Sequence, residues 1–163
     1  MIEITLANTS SDYLKIEELA NIIWREHYIP IVGKPQIDYM LDKYQSAKSI
    51  SKQVSTGFYY FLVTFNKISV GYFSIKQEEQ SMFLSKIYIL KNFRGKGIGK
   101  NVMAFIEMKT KAYNLNKIRL TVNINNLNSI KVYEKLGFIN IGPLVTNIGN
   151  GFVMDDFQME KTF

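Results

Sequence analysis

The residues best suited to chemistry lie in one stretch, Asn92-Phe93-Arg94-Gly95-Lys96-Gly97-Ile98-Gly99-Lys100. Glycines at alternate positions let backbone N–H groups approach a ligand closely, because no Cβ stands in the way. Arg94, Lys96 and Lys100 add positive charge, and a helical pattern opens at Ile98. Unpaired N–H groups and the positive end of a helix dipole therefore converge on one point, which suits a phosphate and above all a pyrophosphate. Two common phosphate loops do not fit. A nucleotide-binding P-loop has four residues between its glycines and a hydroxyl after the lysine. Here three residues separate Gly95 from Gly99, and Asn101 follows Lys100. A dinucleotide fingerprint needs a third glycine where Ile98 or Lys100 stands, and an acid about 20 residues on.

These residues need elements to hold them. Ile2–Leu6 alternates as a first strand. Asn8–Asp12 offers caps for a helix whose apolar face carries Ile16, Ala20, Ile23, Trp24 and His27 and which ends at Pro30. Gly33-Lys34-Pro35 reads as a loop. A second helix carries Ile37, Met40, Leu41 and Tyr44, and a short third one carries Ala47, Ile50 and Val54. Phe58–Phe65 reads as a strand covered on both faces, and Ile68–Ile75 pairs back on it through an Asn66-Lys67 turn. Met82–Leu90 delivers the chain to the glycine loop. A helix from Ile98 to about Tyr113, a strand Ile118–Val122 and a helix Ser129–Leu136 stopped by Gly137 follow. Phe138–Leu144 and Phe152–Lys161 close the sheet across a Gly/Asn-rich loop. The order is α/β (α+β by some schemes), with a mixed central sheet flanked by helices.

The chain has 163 residues, no cysteine and a formal net charge of +6. Its length suits a single domain, residues 1–163, with a real core. Without cysteine there is no disulfide framework and no thiol nucleophile, and a cytoplasmic location is expected. The N-terminal residues resemble no signal or transit peptide, and no run approaches the ~18 apolar residues of a spanning helix, so no membrane partner is expected. The basic residues are scattered except around Lys91–Lys100, where a polyphosphate explains them as well as nucleic acid does. No nucleic-acid partner and no metal are expected.

Arg94-x-x-Gly97-x-Gly99 between a strand and a helix resembles the acyl-CoA pyrophosphate loop of the GNAT N-acetyltransferases. About thirty residues later, Asn126-x-x-Ser129-x-x-x-Tyr133-Glu134-Lys135-Leu136-Gly137-Phe138 resembles the second signature of that superfamily. Two signatures in order are far more specific than either alone. The resemblance covers residues 58–161, which would form the acetyl-CoA core, while residues 1–57 would supply the acceptor side. More loosely, Glu26-His27-Tyr28-x-Pro30-Ile31-x-Gly33 and Gly149–Phe157 resemble bacterial members that include polyamine (spermine/spermidine) N-acetyltransferases.

The resemblance implies acetyl transfer from acetyl-CoA to a primary amine by direct attack, with no metal. Pantetheine would pair with the backbone of Ile87 and Ile89, and the Ile89 N–H would polarise the thioester carbonyl. The pyrophosphate would lie on Arg94, Gly95, Lys96, Gly97, Ile98, Gly99 and Lys100, with Asn126 and Ser129 completing the cofactor contacts. Tyr133 would contact the cofactor and act as general acid toward the leaving thiolate, although Val132 and Leu136 beside it also fit a core aromatic. The base is open. Many relatives use an acid on the strand before the glycine loop, and here Ser81–Tyr88 contains none. Glu26, His27, Asp38, Asp155 and Asp156 are the candidates. His27 has a suitable intrinsic pKa but lies on an apolar helix face. Lys91 stands where relatives often carry proline. A small-molecule amine is the expected partner, a polyamine the leading acceptor, and a monomer or homodimer the expected assembly. A protein N-terminus as acceptor, or a non-catalytic acyl-CoA-binding module, are the alternatives.

Overall fold

A computed structural model describes residues 1–163. Strand β1 (Ile2–Leu6) leads into helices α1 (Ser10–Val32), α2 (Lys34–Gln45) and α3 (Ala47–Ser55). Strands β2 (Phe58–Phe65), β3 (Ile68–Gln77) and β4 (Met82–Ile89) form a meander that ends in a short turn of 3-10 helix at Lys91–Phe93. Helix α4 (Ile98–Ala112), strand β5 (Lys117–Asn123) and helix α5 (Leu127–Lys135) follow, and β6 (Ile139–Gly149) and β7 (Phe152–Thr162) close the chain as a hairpin. The seven strands run in the order β1-β2-β3-β4-β5-β7-β6. Every neighbouring pair is antiparallel except β4 and β5. The sheet is therefore mixed, with helices α1–α3 covering one face and α4 and α5 the other. No helix is long and apolar enough to cross a membrane.

The local chemistry accounts for where the elements stop. Thr9 and Asp12 form a reciprocal capping box at the start of α1. Helix α5 ends in a Schellman motif. The Gly137 N–H donates to the Glu134 carbonyl and the Phe138 N–H to that of Tyr133, with Gly137 at φ +100°. Asn66 and Lys67 both adopt positive φ in the β2–β3 turn, as a two-residue hairpin requires.

Three boundaries differ from the sequence expectation. Pro30 does not end α1. It falls in the last turn, where its missing N–H removes only one ladder bond, and the helix runs on to Gly33 at φ +88°. Gly33-Lys34-Pro35 is not a loop either, because Pro35 occupies the first turn of α2, where its N–H is not needed. The Gly/Asn-rich segment after Leu144 is mostly strand. Gly142 and Gly149 mark bulges in β6, and only Asn150-Gly151, both at positive φ, makes the turn.

Two polar devices tie the N-terminal helices to the rest. The Trp24 indole donates to Tyr72 Oη at 3.0 Å, the Tyr72 hydroxyl donates to Gln45, and the Gln45 amide reaches Tyr60 Oη at 3.2 Å. At the other end, Tyr39 and Lys43 of α2 both donate to the Ile148 carbonyl at 2.6 Å, and Gln36 donates to that of Val153 at 2.9 Å. Helix α2 thus clasps the β6–β7 hairpin.

Candidate active site

The site begins as a defect in the sheet. β4 and β5 pair only at Met82 with Ile118 and Phe83 with Arg119. Just beyond, Ser85 and Lys86 oppose the single residue Ser74 of β3, a bulge in which Lys86 takes φ +55°. Ser85 Oγ fills the gap by accepting from the Ser74 N–H at 3.1 Å and donating to its carbonyl at 3.2 Å. From there β4 leaves β5, and the opened edge faces a cleft of about 570 Å³. The Leu90 N–H donates to the Val70 carbonyl, so Tyr88 and Leu90 point their backbone groups at β3. By alternation Ile87 and Ile89 point theirs into the split. The Ile87 N–H donates to Tyr133 Oη at 3.0 Å, and the Ile89 carbonyl accepts from Arg94 Nε at 3.0 Å. The Ile89 N–H and Ile87 carbonyl have no strand partner.

At the outer end of the cleft the glycine loop forms an open cradle. Gly95 and Gly97 adopt φ +75° and +79°, and a Cβ at Gly95, Gly97 or Gly99 would meet nothing within 4 Å. Gly97 is the N-cap of α4, with no side chain capping the helix, and the N–H groups from Gly95 to Lys100 find no partner in the protein. The charged residues lining the cleft are Lys86, Arg94, Lys100 and Lys135, all cationic. Ser129 lines it as well, whereas Lys96 is exposed outside it.

Tyr133 is buried at the inner end, and burial pushes its phenol pKa up, so it holds its proton at neutral pH. Asn126, also buried, takes the N-cap position of α5 without capping it. Its Oδ1 lies 3.0 Å from His27 Nε2, and its Nδ2 has no partner at all. A buried amide of this kind can donate to a ligand carbonyl. Burial holds the His27 imidazole below its usual range, partly offset by the bond to Asn126.

A second, smaller cavity of about 50 Å³ opens behind β4. Trp24 and Tyr28 of α1, Met40 of α2, Tyr88 of β4 and Met154 of β7 give it an apolar wall, and Lys86 and Asp156 are its charged residues. Tyr88 stacks on Tyr72 at 4.9 Å and packs against Trp24 at 5.5 Å. Burial raises the Asp156 carboxyl pKa, and the Lys86 ammonium opposes that shift. The remaining acids do not join it. Glu26 is exposed and lines neither cavity, Asp42 is exposed, and Asp38 is held by Arg25 at 2.6 Å and Lys34 at 2.7 Å. Asp155 lies on the opposite face of β7 from Asp156. The carboxylates of this side therefore form no common acidic patch.

The sequence model of the Acetyltransferase (GNAT) domain matches residues 31–162. This chain belongs to the GNAT acetyltransferases. Among curated GNAT relatives, a probable spermine N(1)-acetyltransferase of Bacillus subtilis subsp. natto (strain BEST195) is 33% identical over 67 residues, and a spermine/spermidine N(1)-acetyltransferase of Bacillus subtilis (strain 168) is 31% identical over 67. Each match spans 40% of this chain and 44% of the relative. The crystal structure of the PaiA N-acetyltransferase from Thermoplasma acidophilum in complex with coenzyme A superposes with a TM-score of 0.81 over 100% of this chain and 99% of that one. At 21% identity this likeness concerns the fold.

Acetyl-CoA fits this GNAT site: the cradle is open, its walls are cationic, and a buried amide waits for a partner. Sequence reasoning did not single out Lys86, Tyr28, Trp24 or Tyr88 as site residues. The one usable signal was Lys86, a charged residue inside an otherwise apolar strand.

Proposed function

We propose that this chain is an acetyl-CoA-dependent N-acetyltransferase that passes the acetyl group directly to a primary amine. The carrying observation is the placement of Tyr133. Its hydroxyl is anchored on the opened edge of β4 by the Ile87 N–H, at the inner end of the cationic cleft. Acetyl-CoA would supply the thioester. The N–H groups of Gly95–Lys100, with Arg94, Lys96 and Lys100, hold its pyrophosphate, and Ser129 and the Asn126 amide hold its arm along Ile87 and Ile89. The Ile89 N–H donates to the thioester carbonyl as negative charge develops there. Tyr133 gives its proton to the departing thiolate, and the Ile87 N–H stabilises the phenolate that remains. Among the base candidates, His27 lines the cleft and Asp156 the pocket, whereas Glu26 would act only from outside both. The nitrogen's surplus proton passes to His27 or to water, and the net result is one amide and one thiol.

Spermine and spermidine are the first acceptors to test, because the curated relatives act on them and the chain resembles such enzymes at Glu26–Gly33 and Gly149–Phe157. A protein N-terminus is the second. One observation favours a non-catalytic acyl-CoA-binding module instead, namely that no carboxylate lines the main cleft. Residues 1–57 serve mainly the acceptor, with β4, β5 and β7 completing its side, and 58–163 hold the cofactor, in a cytoplasmic monomer or homodimer. The test is thiol release from acetyl-CoA with a panel of mono-amines, polyamines and an N-terminal peptide, with products identified by mass spectrometry. The transferase reading requires an acetylated amine, and acetyl-CoA binding with no turnover on any amine would sink it.

A further inference from the structure

An alkylammonium must lose a proton before it can attack, at a cost of about 4–5 kcal/mol in neutral water. A carboxylate beside the thioester would be the usual remedy, but this cleft holds none. Of its four cations, Lys86 alone also lines the smaller pocket behind β4, which on this reading takes the acceptor. We infer that Lys86 is a charge filter for the acceptor: its ammonium, fixed on the wall between cleft and pocket, excludes protonated amines, so the acceptor enters and attacks in its neutral form. This rests on the transferase reading and narrows its acceptors to amines that are neutral at the working pH, which sets the polyamines, cationic at neutral pH, behind weakly basic amines.

The fixation is visible in the backbone. Lys86 is the bulged residue of β4, held in the left-handed region that non-glycine residues adopt only when the surroundings impose it. Its Nζ crosses the split to donate to the Thr121 carbonyl at 3.2 Å, and lies 6.0 Å from the centroid of the Tyr28 ring. Burial pulls the Lys86 pKa down, and both contacts, with the nearby Asp156 carboxylate, oppose that and favour the charged amine. The ionisable groups around it come from five elements. They are His27 and Tyr28 on α1, Tyr88 on β4, Tyr133 on α5, Asp155 and Asp156 on β7, and Arg94 in the loop. The three phenols are uncharged, since burial raises each of them. His27 is held toward its neutral form. Asp156 is the one acid lining either cavity, and it makes no ion pair with Lys86. Burial also raises the Asp156 carboxyl pKa, which weakens its offset, and the Lys86 ammonium is the one cation on the wall where the nucleophile must stand.

A nearby cation disfavours the charged form of an amine by the same Coulomb term that shifts a pKa. The filter consequently favours weakly basic amines over strongly basic ones. It also predicts that kcat/KM rises with pH until the acceptor itself is neutral, following the acceptor's own pKa rather than that of an enzyme group. The experiment uses the full chain with an alkylamine and its β-fluorinated analogue, which share shape and differ in basicity. In the unmodified protein the acid limb of kcat/KM should move by the difference between the two amine pKa values. Lys86→Asn removes the charge and suits the left-handed backbone. It should shrink the preference for the weaker base at pH 7 about tenfold, the effect of a one-unit shift. Lys86→Glu should bring in an acid limb common to both amines. Circular dichroism and a thermal melt like those of the unmodified protein show that each variant is folded. A common limb in the unmodified protein, or an unchanged preference in Lys86→Asn, overturns the filter alone. No acetylated product with any amine overturns the transferase reading and the filter with it.

Discussion

The main cleft and the smaller pocket behind β4 share Tyr28, Lys86 and Tyr88 as a common wall, yet they are built on different principles. The cleft's outer end is backbone. One strand, one turn and one helix start present N–H groups from Gly95 to Lys100, and the side chains mainly add charge. The pocket is made of side chains, brought from α1, α2, β4, β5 and β7 to enclose about 50 Å³. A backbone cradle depends on a few glycines and tolerates changes elsewhere. A side-chain pocket depends on every element that packs around it. Damage to the first should therefore be local and severe, and damage to the second graded and shared with stability.

Four measurements would break or sharpen that contrast, beginning with the largest effect. Tyr133→Phe should lower turnover about 10²–10⁴-fold, the range for losing a general acid, while acetyl-CoA affinity stays near its original value. Turnover close to the unmodified level across a pH series would reduce Tyr133 to packing against Phe138, its neighbour at 5.5 Å. Next, Gly99→Val should weaken acetyl-CoA binding about a hundredfold or more in calorimetric titration, because its side chain would fill space that is open now. Thermal unfolding should barely change, since Gly99 has neither positive φ nor a close neighbour. Gly97→Val should lose both binding and stability, because φ +79° strains any β-branched residue. Equal unfolding temperatures for the two variants would contradict this.

Smaller effects belong to the seam and the pocket. Arg119 forks onto Glu78 at 2.7 and 2.8 Å where β4 and β5 last pair, with both side chains about a third exposed. Arg119→Ala should cost about 1–2 kcal/mol in denaturant unfolding, a value reduced by that exposure. Arg119 holds the Glu78 carboxyl below its usual 4.5, so this stabilisation is present above pH 4.5 and is lost as pH falls through the lowered value. A loss equally large at pH 3 would mean packing rather than charge. The smallest effect is that of His27. Its folded pKa lies below 6.5, so the unfolded chain binds more protons and stability falls as pH drops under 6.5. His27→Gln should flatten that slope by up to about 1 kcal/mol per pH unit. Asp156 works with the opposite sign, because burial raises its folded pKa and acidification then favours the fold. A slope that survives in His27→Gln would assign it to another group.

The same contrast explains what the sequence revealed. The cradle was legible because strand, glycines, charges and helix start are contiguous from Met82 to Lys100, so local rules suffice. The Schellman end of α5 was legible for the same reason, with Gly137 and Phe138 beside the residues they cap. Pro30, Pro35 and the glycines of β6 misled because each is a breaker in isolation. Helix ends and bulges absorb them at positions that only tertiary pairing selects. Asp38, one of the base candidates, dropped out similarly, since sequence does not show that Arg25 and Lys34 hold it away from the site. Lys86 escaped notice because a bulge, invisible in composition, turns a strand lysine toward two cavities at once.

The clasp between α2 and the hairpin bears on how such a protein could be recombined. Tyr39 and Lys43 seize the Ile148 carbonyl, and a Cβ at Gly149 would stand 2.7 Å from Tyr39 Oη. Residues 34–45 and 147–154 are thus mutually fitted surfaces more than a hundred positions apart. Transplanting α2 alone into a relative would leave it without its counterpart, and the acceptor pocket would lose one wall. Moving both segments together would carry the pocket across while leaving the glycine cradle untouched. On the proposed reading, the heritable unit of acceptor choice in this chain is a pair of distant segments joined at one carbonyl oxygen.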